Sequence, residues 1–202
     1  MAVRMKEFFS SVDEPLMMSY RVNAGYISLD HWVHDPEIGG GRIIGEVCHF
    51  IDFLTYLSGS LPVRIYAQAL PDNNRYRNDN LTVTIAYGNG STGTVTYVAN
   101  ADKAYPKERV EVFGGGSVAV LDNFRQLELS KNGKRNVVKS RLQQDKGHRG
   151  EWLAFVDAVC GRSDRTIHVD ETVSASLSTF CVIDSLNQGQ PVRVEREAVV
   201  SG

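Results

Sequence analysis

The chain has 202 residues, 42% hydrophobic and 23% charged, and its 22 basic and 24 acidic side chains leave a formal charge of -2. That length suits one core. The charge balance lacks the footprint of a nucleic-acid binder, and no long apolar run or charged-then-apolar leader predicts a membrane span or signal peptide. Cys48, Cys160 and Cys181 are odd in number, lie in apolar stretches and form no C-x-x-C; a disulfide framework and a thiolate zinc site are disfavoured, and a reducing cytoplasm fits.

The opening MAVRMKEFFSSV spaces Val3, Met5, Phe8 and Phe9 as a helix does, but no capping residue precedes it. The first fourteen residues are therefore expected to be the remainder of a helix from an earlier domain, and residues 1–202 a single domain. LMMSYRVNAG (16–25) reads as a strand, with Met17 and Met18 at strand core and edge. YISLDHWVHDPEIGGG (26–41) reads as a loop. Over residues 42–57, Ile43, Ile44, Val47, Ile51 and Leu54 follow a helical period that Ser58 and Gly59 end.

Short strands with period-two alternation follow: VRIYAQAL, NLTVTIAY, GTVTYVAN, ERVEVFG, SVAVLDN, QLELS and NVVKS. Their connections are hairpin-sized, and the basic cluster KNGKRNVVKSR reads as a solvated hairpin turning at Asn132 and Gly133. Two helices close the chain. HRGEWLAFVDAVCG puts Trp152, Phe155, Val156 and Val159 on one side as helix core, with the polar Lys146-Gly147-His148 at its start. DETVSASLSTFCVIDSLNQG does the same with Val173, Leu177, Phe180 and Ile183, with Asp170 as N-cap and Gly189 just past the end. The fold class expected is α+β: an open, mostly antiparallel sheet with helices on one face.

Gly88, Gly90 and Gly93 have the G-x-G-x-x-G spacing of a dinucleotide turn. Such a turn leads into a helix whose N-terminus meets the pyrophosphate, whereas TVTYVAN after Gly93 is a strand. FGGGSVAV fails in the same way, so no cofactor-binding residues are expected in this chain.

The chemistry concentrates in GGGRIIGEVCHFIDFLTYLSG (39–59). On a helix Arg42, Glu46, His49 and Phe53 share a stripe, with Asp52 beside His49. A histidine between two carboxylates suits general acid/base work near neutral pH; a plain solvated face has the same pattern. The run Gly39-Gly40-Gly41, the apolar stretch, His49, Asp52 and Gly59 resembles the substrate-domain signature of the glucose-fructose oxidoreductase/inositol dehydrogenase/MocA family. VEVFGGGSVAVLDN, KGHRGEWLAFVDAVCG and ETVSASLSTFCVIDSLNQGQPVRV resemble its later segments in order.

The resemblance implies an oxidoreductase that uses NAD or NADP on a sugar, polyol or related hydroxy compound. It implies a Rossmann domain outside this chain that binds most of the cofactor and carries the catalytic lysine, and it implies that this domain alone is inactive. It places His49 as the catalytic proton carrier. Where the family commonly has an aspartate four residues earlier, this chain has Gly45, and Glu46 is the substitute carboxylate. The loop offers Asn23, Tyr26, His31, Trp32, His34 and Asp35 for sugar recognition by stacking and hydrogen bonding, with a packing anchor as the alternative for His31 and Trp32. Asp52 is a further candidate for the site, or a partner of nearby backbone. Arg42 is a candidate for an anionic substrate group, with a plain surface arginine as the alternative.

Two other readings stay open. His31, His34, Glu46 and His49 have ligand types suited to zinc or iron, and the fold could serve as a non-catalytic ligand-binding or assembly domain. The uncovered sheet face, expected to be apolar, predicts a homodimer or tetramer.

Overall fold

A computed structural model describes residues 1–140, 144, 147–162 and 169–195. Nine strands form one sheet in the order β8-β7-β6-β5-β1-β4-β3-β2-β9. They are β1 (Met17–Asn23), β2 (Pro62–Ala69), β3 (Leu81–Tyr87), β4 (Thr92–Val98), β5 (Glu108–Gly114), β6 (Ser117–Asp122), β7 (Gln126–Lys131), β8 (Lys134–Lys139) and β9 (Val192–Arg193). All neighbours are antiparallel except β1 and β4, which run parallel from Met17 opposite Thr92 to Asn23 opposite Val98. The short β9 on the edge beyond β2 is not among the predicted strands. No Rossmann unit lies among the described residues.

The alternation sets the two faces. Met18, Tyr20, Val22, Ile65, Val83, Ile85, Val95, Tyr97, Val110 and Val112 point to the core, where α1 (Ala2–Phe8) adds Met5 and α2 (Cys48–Ser58) adds Ile51 and Leu54. Gly59 ends α2 in the left-handed conformation and donates to the Thr55 carbonyl. Helix α4 (Val169–Gln188) buries Ser174, Ala175, Ser178, Cys181 and Ser185, small side chains that let it lie close to α2 and β2. Ser185 Oγ accepts from the Ala67 N–H at 2.9 Å, which fastens helix to strand. Asp170 lies inside the first turn of α4, not at the cap; its charge still faces the positive end of the helix.

The other face of the sheet differs from the sequence expectation. It is not an apolar slab: Thr82, Thr84, Thr94 and Thr96 line its middle, and the Arg109–Glu111 and Arg135–Glu128 pairs flank them. Among these stand Met17 opposite Phe113, both exposed, and Tyr66.

Helix α3 (His148–Val159) carries a second correction. Its stripe is regular, but Trp152 is 69% exposed, Phe155 61% and Val159 70%, and α3 makes no extended contact with another described element. An amphipathic period states which residues share a face, not what that face meets. Trp152→Gln and Phe155→Gln are each expected to change the stability of this chain by less than about 0.5 kcal/mol. A thermal melt showing a loss of about 3 kcal/mol, the usual cost of a truncated core aromatic, would instead place them in the core. Lys146 and the His148 side chain, placed by the sequence at the start of this helix, lie outside the described residues.

Candidate functional site

The glycine-rich hairpin between β3 and β4 is built from its own side chains. Asn89 donates to the Ser58 carbonyl and accepts from the Ser91 N–H, and Ser91 Oγ accepts from the Leu16 N–H at 2.9 Å. Gly90 takes a φ of 84°. Gly93 sits in β4, where a Cβ would come within 3.1 Å of Leu54 and 3.2 Å of Tyr87. The spacing that resembles a nucleotide turn thus serves a tight hairpin and the close seating of α2.

Gly39, Gly40 and Gly41 do comparable work one layer away. Residues Trp32–His34 make a single 3-10 turn, and the Asp35 carbonyl accepts from both Gly39 and Gly40 while the Val33 carbonyl accepts from Gly41. A Cβ on Gly39 would lie 2.5 Å from the Val33 Cα. Gly40 and Gly41 have φ values of 67° and 86°, which glycine adopts without strain. The three glycines therefore fold the loop back on itself and deliver the chain straight into a helix.

That helix does not start as a regular α-helix. Ile43–Val47 form a π-helical turn before α2 begins at Cys48. The uniform helical wheel assumed for residues 42–57 is corrected here: one wide turn separates Arg42 and Glu46 from His49 and changes their phase. Such turns recur at functional sites.

Arg42 is not a surface residue. It is 2% exposed; its Nε donates to Glu46 Oε1 at 3.0 Å, its Nη1 to the Gly25 carbonyl at 2.8 Å, and its guanidinium lies 5.1 Å from the centre of the Tyr97 ring. Its charge is spent on aiming Glu46 and holding the loop at Gly25. Tyr97 itself is held firmly protonated by burial.

Past the wide turn, His49 and Asp52 are exposed on α2, with Glu46 partly exposed. Partial burial of the Asp52 carboxylate against the fold raises its pKa; Glu171 adds repulsion and His49 opposes the shift. Asp52 thus takes up a proton more readily than a free carboxylate. Burial likewise raises the Cys48 thiol, which keeps it out of nucleophile chemistry.

The loop residues separate into two groups. Asn23 is buried and donates to the Asp102 and Tyr105 carbonyls, and Asp35 accepts from the Glu37 and Ile38 N–H groups, so both support loop structure. Tyr26, His31 and Trp32 stay exposed. Tyr26 meets Tyr76 edge to face at 6.0 Å, with Arg75 5.0 Å from its ring centre, and the His31 and Trp32 rings are 5.6 Å apart. The four-ligand metal set is not assembled: His34 is buried beside Asp79, and no group of three or more His, Cys, Asp or Glu residues suited to a metal occurs among the described residues. Asp79 was not singled out from the sequence, because NDN reads as ordinary turn composition.

No described helix is long and apolar enough to cross a membrane. Comparison with curated proteins gives no match. Among solved structures, the chain is similar to an NAD-binding oxidoreductase from Klebsiella pneumoniae (TM-score 0.80, 14% identity, 96% of this chain and 63% of that one). It is similar to levoglucosan dehydrogenase in complex with NADH (0.76, 16%, 96% and 63%). A third is an oxidoreductase from Agrobacterium radiobacter in complex with NAD+, L-tartaric acid and magnesium (0.73, 13%, 96% and 61%). The chain thus spans about three fifths of the length of each. At these identities the likeness shows the fold. Residues 13–118, just over half the chain, match the model of the GFO/IDH/MocA C-terminal domain, and the chain belongs to that family.

Proposed function

We propose that this chain is the substrate-binding domain of an NAD- or NADP-dependent oxidoreductase that acts on a sugar, polyol or related hydroxy compound. The carrying observation is His49, exposed directly behind the family's glycine block, on the same helical segment as the partly exposed Glu46 and the proton-prone Asp52. His49 takes the proton of the substrate hydroxyl, while Glu46, aimed by Arg42, and Asp52 set the field around it. Tyr26, His31 and Trp32 offer faces and edges to the apolar side of a sugar ring; Asn23, Asp35 and Arg42 support this arrangement from within the fold.

The nicotinamide, when bound, supplies the hydride acceptor or donor. It fits a segment outside this chain, because the G-x-G-x-x-G spacing of Gly88, Gly90 and Gly93 lies in a hairpin that leads into β4 and not into a helix N-terminus. The threonine-lined sheet face would pair with a second copy, giving a dimer or tetramer; sedimentation at micromolar concentration checks this, and a monomer counts against it.

In the full-length polypeptide, His49→Ala is expected to lower kcat about 100- to 10,000-fold with an unchanged melting temperature, since the side chain is exposed. Unchanged turnover would leave the non-catalytic reading. Titrating this chain alone with NADH and NADPH separates the cofactor assignment: no binding is expected at millimolar concentration, and saturable micromolar binding would overturn it.

A further inference from the structure

The loop between β1 and the π-helical turn buries one histidine. The side chains of His34 and Asp79 are both fully enclosed, with His34 Nε2 3.7 Å from Asp79 Oδ2. Neither ring nitrogen has a hydrogen-bond partner among the described residues, and the carboxylate has only a loose backbone approach from Arg77. Buried polar atoms left in this way are costly, so the electrostatic attraction between the two groups is what compensates them.

The surrounding charges are few. Arg42 and its partner Glu46 stand at the head of the helix, Asp72 and Arg77 lie in the same loop as Asp79, and the Tyr97 ring supports Arg42 from β4. Two positive and three negative groups leave one negative charge, and a single proton on the His34–Asp79 pair cancels it. Burial raises the Asp79 carboxyl, with His34 and then Arg42 pulling the other way. The same contact ties two loops together, since Arg77 Nη1 donates to the His34 carbonyl at 2.5 Å.

We infer that His34 and Asp79 form a proton-dependent clasp that fastens the 24–41 loop, with Tyr26, His31 and Trp32 on its exposed side, to the 71–80 loop. Burial beside His34 makes the closed loop hold a proton on the Asp79 carboxyl more tightly than the open loop does. Closure is therefore complete below the open loop's midpoint, weakens by about tenfold in closing constant per pH unit between the open-loop and closed-loop midpoints, and is level above both. The inference does not rest on the oxidoreductase reading.

The test is amide hydrogen exchange of the 202-residue chain across about pH 4 to 8, from the ordinary carboxylate range upward, read as protection factors for residues 24–41. The wild type is expected to lose protection by up to about tenfold per pH unit between the open-loop and closed-loop midpoints and then to level off, and Asp79→Asn to show no such pH dependence. A flat wild-type profile, or the same slope in Asp79→Asn, overturns the clasp. Should Asp79→Asn fail to fold, carbon-13 titration of the wild-type Asp79 carboxyl decides: a midpoint above the range of the exposed carboxylates supports the clasp, and one within that range overturns it.

Discussion

Gly39→Ala is expected to cost about 3 kcal/mol of stability, at the upper end for forcing one extra carbon into a packed site. The added Cβ meets backbone on every near side: the Val33 Cα at 2.5 Å and the Trp32 and Val33 carbonyl oxygens at 2.6 Å. No side-chain rotation relieves that contact, so the 3-10 turn must move as a unit, and His34 and Trp32 move with it. At roughly 2–4 °C per kcal/mol for a domain of this size, the melting temperature falls by about 6–12 °C. Gly45→Ala is the control. Nothing lies within 4 Å of its Cβ position, its φ is not in the left-handed region, and the change is expected to be neutral or to stabilise by under about 1 kcal/mol. Equal losses for the two variants would show that loop crowding is not what the glycine block relieves.

Arg42→Met is the second large effect, expected at about 3–5 kcal/mol because it leaves buried partners without their cation. Methionine keeps much of the side-chain volume, so the loss reports the interactions with Glu46, the Gly25 carbonyl and Tyr97 rather than a cavity. Arg42→Lys is expected to recover under half of it: an ammonium is a point donor and cannot serve the two oxygens and the ring with the geometry of the guanidinium fork. Denaturant midpoints measure both variants. A loss under about 1 kcal/mol for Arg42→Met would mean that Glu46 and the loop are held by other contacts.

Strand boundaries were legible within a residue or two wherever polar and apolar residues alternate, as in LTVTIAY and ERVEVFG, because a half-buried strand writes its period directly into the chain. The pairing of β1 with β4 was not. Both strands read alike, and nothing local states that residues 17–23 lie beside residues 92–98 in parallel. The glycine block, His49 and Asp52 were visible as a motif. The π-helical turn was invisible, since IIGEV fits an α-helix equally well. Arg42 itself looks like any helix-start arginine until Tyr97 and Gly25, distant in sequence, enclose it. The α3 stripe failed in the opposite direction: its period is correct, and burial is a property of the neighbour that the period does not name.

The place of β1 governs how the sheet is assembled in time. The strands on one side of it, β2 to β4, form an antiparallel meander through hairpins and loops, and so do β5 to β8 on the other. Each can pair as it emerges. β1, made before either meander, has only β4 and β5 as partners, so it waits unpaired until residues 92–98 exist and completes its second edge only with residues 108–114. Long-range closure of this kind is slow, and a waiting strand with Met18, Tyr20 and Val22 on one face is open to wrong pairing during synthesis.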